Sequence, residues 1–94
     1  MNLNPSSKLK TSKEVLSREI EGETVLLNVE TGIYFGLDAT GTAVWNALQK
    51  KNRFGDIMKA VQDQFEVDPK TCREDLTRFI SSLEKHGLLQ VHEE

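Results

Sequence analysis

The spacing of apolar residues changes period at Asp38, and this change constrains the fold more than any other feature. Before Asp38, short alternating segments are separated by glycine-containing turns, "EGE" at 21–23 and "ETG" at 30–32. A period of two indicates strands, and tight turns between strands predict an antiparallel meander. After Asp38, apolar residues recur every three or four positions, which is typical of helices. The sequence therefore predicts an α+β domain.

Three strands are predicted, at Val15–Glu19, Thr24–Val29 and Ile33–Leu37. Residues at alternate positions point to opposite faces of a sheet. In the second strand one face carries Val25, Leu27 and Val29, and the other carries Thr24, Leu26 and Asn28. In the third strand one face carries Ile33, Phe35 and Leu37, and the other carries Tyr34 and Gly36. The third strand is expected at an edge of the meander.

Three helices follow the predicted strands. The first begins after an N-cap at Asp38 and runs to about Lys50, and the second covers Asp56–Phe65. The third has Asp68 as N-cap, Pro69 at its first position and Gly87 at its end. Trp45 belongs with the apolar stripe of the first helix and is predicted to pack in the core. "LLQV" at 88–91 is predicted to pack back as a short strand. In order and length these helices resemble a winged helix-turn-helix.

Length and composition predict a single small domain at 14–94, preceded by a flexible polar tail at 1–13. The chain has 94 residues and a formal net charge of −3. The charge argues against general phosphate-backbone binding, which needs a basic surface. No apolar run approaches the length of a membrane helix, and no secretory signal core is present. With one cysteine, Cys72, these features predict a cytoplasmic protein that does not bind a membrane.

The sequence offers no convergent set of reactive side chains. His86 is predicted at a helix end and His92 in a terminal segment, so neither is placed as a general base. Cys72 falls on the apolar stripe of the third helix, where a buried thiol stays protonated. No Cys or His cluster has metal-ligand spacing, and no glycine pattern matches a phosphate or dinucleotide loop. We therefore predict no catalytic site, no metal and no cofactor.

Winged-helix DNA binding is an alternative that the helix order suggests. The third helix would then be the recognition helix. Its charges are mixed, and Glu74 lies four residues before Arg78, which is the spacing of a helical ion pair. A helix that reads the major groove carries basic or amide side chains clear of acids. The charge pattern therefore does not favour nucleic acid as a partner.

Peptide binding at the third strand is a further hypothesis. "IYFGL" at 33–37 has neither the charge nor the proline that usually protects a sheet edge from pairing. Its free backbone groups could accept a partner strand, and Gly36 would leave room for close approach. Alternatively, the chain's own tail covers the edge. The pattern alone leaves both open.

Two longer stretches resemble the PqqD-like family. They are "VLLNVETGIYFGLDATGTAVWNAL" and "FEVDPKTCREDLTRFISSLEKHGLL". They contain the hairpin with "TG" at its turn, the "L-D-x-x-G-x-x-x-W" helix start, "V-D" before the last helix, "D-L-x-x-F" within it and the final "G-L-L". Family members often have "L-N" where this chain has Leu37 and Asp38, and either residue caps a helix. Together the matching parts cover about Val15–Leu89.

The resemblance implies a non-catalytic module for peptides that are made by ribosomes and then modified. Such a module binds the leader segment of a precursor peptide and presents it to a modifying enzyme. That enzyme is a radical S-adenosylmethionine protein in pyrroloquinoline quinone (PQQ) synthesis and a peptidase in lasso-peptide synthesis. The module is expected as a monomer or as a dimer formed through the open edge.

The resemblance also implies where the leader binds, as an added strand on the third predicted strand, in the groove against the third helix. Helical spacing predicts Phe79 and Leu83 on the groove floor, although a core position for Phe79 is at least as well supported. The predicted peptide-binding residues are Ile33, Tyr34, Phe35, Gly36, Leu37, Asp75, Arg78, Phe79 and Ser82.

Overall fold

The computed structural model describes residues 3–92 and contains two sheets and three helices. A three-stranded antiparallel sheet has the order β2-β3-β4, and a separate two-stranded sheet pairs β1 with β5. The predicted fold class, a three-stranded meander followed by three helices, is confirmed. The elements are β1 (Lys8–Thr11), β2 (Val15–Ile20), β3 (Glu23–Asn28), β4 (Ile33–Leu37), α1 (Ala39–Lys50), α2 (Phe54–Phe65), α3 (Pro69–Lys85) and β5 (Leu89–His92).

The turns of the meander use glycine where the backbone is left-handed. Gly22 has φ of 81° between β2 and β3, and Gly32 has φ of 75° between β3 and β4. A residue with a β-carbon is disfavoured there, so these two glycines fix where the strands end. Because both connections are short, β2, β3 and β4 lie side by side in chain order.

The caps predicted for α1 and α3 are present. The Asp38 carboxylate accepts a hydrogen bond from the Gly41 N–H at 2.8 Å, and the Asp68 carboxylate accepts one from the Thr71 N–H at 3.0 Å. α2 begins at Phe54, two residues before the predicted start. The reason is tertiary, since the Phe54 N–H donates to the Ser7 carbonyl at 2.9 Å.

The core lies between the three-stranded sheet and the helices. Among its fully buried side chains are Leu9, Leu26, Phe54, Ile57, Ile80 and Leu83. Trp45 is buried within it, as predicted. The buried face of β3 is the one that carries Thr24, Leu26 and Asn28. The more apolar face of β3 therefore points to solvent.

The prediction of a flexible tail at 1–13 is wrong for the part of it that the structure describes. β1 pairs with β5, with Leu9 opposite Val91, and Leu3 and Leu9 are buried in the core. The Pro5 carbonyl accepts a hydrogen bond from the Gly55 N–H at 3.0 Å. The partners of this segment lie about 40 to 85 residues away along the chain, so local composition could not reveal them. The packed domain includes Leu3, well before 14, and Met1 and Asn2 lie outside the described residues.

Candidate functional site

β4 is an edge strand whose outer backbone is unpaired within residues 3–92. The Asn28 carbonyl accepts from the Gly32 N–H at 2.7 Å, and the Val29 N–H donates to the Glu14 carbonyl at 2.8 Å. The backbone of Asn28 therefore faces β4, and that of Val29 faces β2. Since the direction alternates along an antiparallel strand, the amide groups of Tyr34 and Gly36 point away from β3. These are the groups available to an added strand.

The tail does not cover this edge. β1 pairs with β5, and the pairing neighbour of β4 within the described residues is β3. Of the two possibilities that the sequence left open, coverage of the edge by the chain's own tail is thus wrong for residues 3–92.

A groove of about 710 Å³ lies beside β4. It is bounded by β4, the start of α1, the end of α2 and the first half of α3. Most of its lining is apolar, which suits a binding surface for apolar side chains. The lining residues are Phe35, Gly36, Leu37, Asp38, Thr40, Gly41, Val44, Val61, Phe65, Val67, Cys72, Asp75, Leu76 and Phe79.

The predicted site residues divide between the groove and its surroundings. Five of them line the groove: Phe35, Gly36, Leu37, Asp75 and Phe79. Ile33 and Tyr34 are exposed on β4 outside the lining, and Arg78 and Ser82 also lie outside it on α3. Leu83, predicted on the groove floor, is instead fully buried in the core. Helical spacing alone could not distinguish a groove position from a core position.

The end of α2 and the loop after it supply lining residues that the sequence analysis did not assign to the site. They are Val61, Phe65 and Val67. Val61 and Phe65 share the apolar face of α2 by helical spacing. An apolar helix face is normally predicted to pack in the core, so the spacing gave no reason to assign these residues to a binding site. Val67 carried a clearer sequence signal, because it is an apolar residue between two predicted helices, and the structure shows it exposed.

Close packing at Gly41 joins the three walls of the groove. A β-carbon placed on Gly41 would lie 3.3 Å from Leu37 Cβ and 3.3 Å from Phe79 Cε1. The start of α1 therefore approaches β4 and α3 more closely than a larger residue would allow. Phe79 is half-buried at this junction, so it belongs both to the core and to the groove.

Charges at the α3 side of the groove are few and partly paired. Asp75 and Arg78 form an ion pair three residues apart on the exposed surface of the helix. Exposed pairs of this kind add little to stability because water and salt screen them. Of this pair, Asp75 lines the groove and Arg78 lies outside the lining.

Cys72 lines the groove but is not an activated nucleophile. Its side chain is buried, and burial, followed by the nearby negative charge of Asp75, raises the pKa of its thiol. The thiolate is therefore a minor form at neutral pH. This agrees with the sequence prediction of a buried, protonated cysteine.

The middle of β4 and the end of β3 both contact the C-terminal end of α3. Phe35 packs edge-on against the His86 ring, with 5.1 Å between ring centroids. The Asn28 side-chain amide donates to the His86 carbonyl at 3.1 Å. Together these contacts hold the three-stranded sheet against the C-terminal end of α3.

Two kinds of functional feature are missing from residues 3–92. No group of three or more His, Cys, Asp or Glu side chains is placed to hold a metal ion there. None of the helices in this range has the length and apolar character needed to cross a membrane.

Comparison with known proteins places these features in a family. The family model described as coenzyme PQQ synthesis protein D (PqqD) matches residues 23–89. A solved structure, TbiB1 in complex with the TbiA(beta) leader peptide, is 38% identical, covers 90% of this chain and 99% of that chain, and superposes with a TM-score of 0.84. A lasso peptide synthetase B1 complexed with the leader peptide is 19% identical over 88% of this chain and 98% of that chain, with a TM-score of 0.78, and shows likeness of fold alone. No match was found among curated proteins.

Proposed function

Because this chain belongs to the PqqD family, we propose that it binds the leader segment of a precursor peptide as a strand added to β4. One observation carries the proposal: the free edge of β4 lies directly beside an apolar groove. The structure of a relative with 38% identity contains a bound leader peptide, which supports leader binding by this chain. The chain would then present the peptide to a modifying enzyme.

Strand addition uses both the backbone and the faces of β4. Hydrogen bonds to the outward amide groups of Tyr34 and Gly36 supply affinity, and side-chain pockets supply specificity. Alternate side chains of the added strand would enter the groove beside Phe35 and Leu37. The remaining side chains would lie on the opposite face, beside Tyr34 and Gly36.

The chain itself acts without catalysis in this proposal. Its groove is lined mainly by apolar side chains, and its buried thiol is held protonated. The chemistry is assigned to a separate enzyme, such as a radical S-adenosylmethionine protein or a peptidase. The family's general role in peptide maturation supports this division of labour.

DNA binding is disfavoured as the function. The α3 surface carries acids and bases together, including the Asp75–Arg78 pair, and the formal net charge is −3. A helix in the major groove needs an excess of basic and amide side chains. Membership of the PqqD family supports peptide binding over this alternative.

The test compares Gly36→Pro with Gly36→Ala. A β-carbon at Gly36 would meet nothing within 4 Å, so the alanine variant keeps both the fold and the outward N–H. The proline variant loses that N–H and should bind leader peptide about 1–3 kcal/mol more weakly. Affinity is measured by fluorescence anisotropy with two labelled probes, the TbiA(beta) leader and the leader of a precursor peptide identified among the neighbouring genes.

Amide chemical shifts supply the second readout of this experiment. On addition of leader, shifts should concentrate at Ile33–Leu37 and along α3. Equal affinity of the two folded Gly36 variants, or shifts confined to α2 and its turn into α3, would contradict strand addition.

A further inference from the structure

α3 lies alongside β4, and its C-terminal end lies toward the start of the strand. A β-carbon added where α1 packs most closely would lie 3.3 Å from both Leu37 and Phe79. Phe35, two residues before Leu37, packs against the His86 ring further along the helix. Moving back along β4 therefore corresponds to moving forward along α3. We call the two ends of this edge the Leu37 end and the Ile33 end.

A row of polar side chains on α3 follows the same direction. Asp75, Arg78, Ser82 and Lys85 are spaced by three or four residues, so they lie on one side of the helix. Asp75 lines the groove, and the row continues from it toward the Ile33 end. Asp75, Arg78 and Lys85 are exposed. The charge along this row therefore changes from negative to positive between the Leu37 end and the Ile33 end.

Acidic side chains border the groove at the Leu37 end. Two of them, Asp38 and Asp75, belong to the groove lining. Two more, Glu66 and Asp68, are exposed beside the loop between α2 and α3, which also contributes to the lining. A peptide that enters the groove at this end therefore meets negative charge.

Charges of the opposite sign near each end face elsewhere. Lys70 and Arg73 lie about 140° and 160° around α3 from Asp75, on the far side of the helix. Arg73 also donates a 2.8 Å hydrogen bond to the backbone of the N-terminal segment. Near the Ile33 end, Glu30 and Glu84 line a separate polar concavity beside β1 and β5. They do not offset the charge difference along the groove.

The two bases of the row differ in the partners that they already have. Arg78 forms an ion pair with Asp75, one helical turn before it. Among residues 3–92, Lys85 has no ion-pair partner. An acidic side chain of a bound peptide would therefore find an unpaired base in Lys85, and would compete with Asp75 for Arg78.

We propose that the groove selects leaders by the order of their charges, with Lys85 and Arg78 contacting acidic side chains and Asp38 contacting basic ones. The proposal rests on the proposed function, which supplies the strand on β4. Every strand pair in this sheet is antiparallel, and an added strand is expected to continue that pattern. Such a leader begins at the Leu37 end and leaves at the Ile33 end. Basic residues therefore precede the bound segment in a preferred leader, and acidic residues follow it.

Two labelled peptides of equal net charge test the proposal with the unmodified chain. Both contain the shortest segment of the TbiA(beta) leader that this chain binds. The ordered peptide has two lysines before that segment and two glutamates after it, and the exchanged peptide has these charges swapped. An exposed ion pair changes affinity by about threefold, so the ordered peptide should bind about tenfold more tightly at low salt. Because salt screens exposed charges, this ratio should fall toward one at about 1 M salt.

Charge reversal on α3 identifies the residues that read the order. Lys85→Glu should lower the preference for the ordered peptide about threefold, and adding Arg78→Glu should abolish it. Lys59→Glu makes the same change of charge at an exposed position of α2 and should leave the preference unchanged. Equal affinity of the unmodified chain for both peptides, a preference for the exchanged peptide, or a preference that Lys85→Glu does not lower would overturn the proposal. Failure of the unmodified chain to bind any segment of the leader would instead overturn the proposed function.

Discussion

At the scale of single residues, Asn28 connects the end of β3 to the end of α3. Its side-chain amide donates to the His86 carbonyl, and its side-chain oxygen accepts from the Glu30 N–H at 3.0 Å and the Thr31 N–H at 3.3 Å. The side chain is buried, so these backbone groups have poor access to replacement water. One polar residue therefore shapes the β3–β4 turn and positions the helix end that borders β4.

We expect Asn28→Ala to lower the free energy of unfolding by about 2 kcal/mol. Removing a side chain that satisfies buried backbone groups leaves them without partners, and each such group costs about 1–3 kcal/mol. The matched control is Asn46→Ala, because Asn46 is exposed and its side-chain amide donates a 3.2 Å hydrogen bond to the Glu19 carboxylate on the surface. Urea denaturation measures both variants, and equal stabilities would contradict the role given to Asn28.

Asp68 gives a pH-dependent prediction. Hydrogen bonds from the Thr71 N–H, and then from its hydroxyl, lower the pKa of the Asp68 carboxyl in the folded chain. A lowered pKa means that the capping interaction stabilises the fold above the unfolded-state pKa of about 4 and is lost as pH falls through the folded value. Asn also caps helices but does not titrate. The unmodified chain should therefore be more stable than Asp68→Asn at pH 7, and this advantage should be smaller at pH 2.5, below the unfolded-state pKa.

Thermal unfolding of both proteins at the two pH values measures the effect of Asp68. The other carboxyl groups titrate in both proteins alike, so the difference between the two isolates this residue. A difference that stays constant between pH 7 and pH 2.5 would show that the Asp68 charge does not contribute to capping.

At the scale of elements, β1 pairs with β5, and the residues just before β1 contact the start of α2. Its Leu9 is buried, and the Leu9 N–H donates to the Asn52 carbonyl at 2.7 Å. The preceding residues supply acceptors for the start of α2, including the Ser7 and Pro5 carbonyls. The segment that composition suggested was a tail therefore supports α2, whose far end borders the groove.

We expect Leu9→Ala to destabilise the chain by about 2–5 kcal/mol, the usual cost of truncating a buried leucine. Lys10→Ala is the control within the same strand, because Lys10 is exposed and should change stability by less than about 0.5 kcal/mol. Chemical denaturation compares the two. If residues 3–12 did not pack, Leu9→Ala would behave like the control.

At the scale of the whole molecule, the free edge of β4 has room for only one added strand. Strand addition by a leader and pairing of two β4 edges in a dimer would use the same outward amide groups of Tyr34 and Gly36. Both contacts cannot form on one chain at the same time. The oligomeric state should therefore depend on whether leader is present.

We expect saturating leader to shift the chain toward a complex of one 10.6 kDa chain with one peptide. Sedimentation equilibrium over a range of concentrations measures the dimer fraction with and without leader. Gly36→Pro serves as the control, because it should weaken edge pairing with either partner. A dimer fraction that increases with leader would contradict a shared edge.

The sequence by itself determined the order and type of most elements. The period change at Asp38, the turn glycines and the two aspartate caps are local signals, and their physical effect depends on residues within one turn of the chain. The ordered motifs also predicted the family, which the match over residues 23–89 confirms. Five predicted site residues line the groove: helical spacing puts Asp75 and Phe79 on one side of α3, and the family resemblance implied leader binding along the strand that contains Phe35, Gly36 and Leu37.

Only the tertiary structure decided which faces are buried and what the N-terminal segment does. β1 pairs with β5 about 80 residues away, and no local pattern encodes a partner at that distance. β3 buries Leu26 with Thr24 and Asn28 while Val25 faces solvent, because the helices cover one face of the sheet and leave the opposite face exposed. The groove likewise takes Val61, Phe65 and Val67 from a helix end and a loop, and only packing brings these residues beside β4.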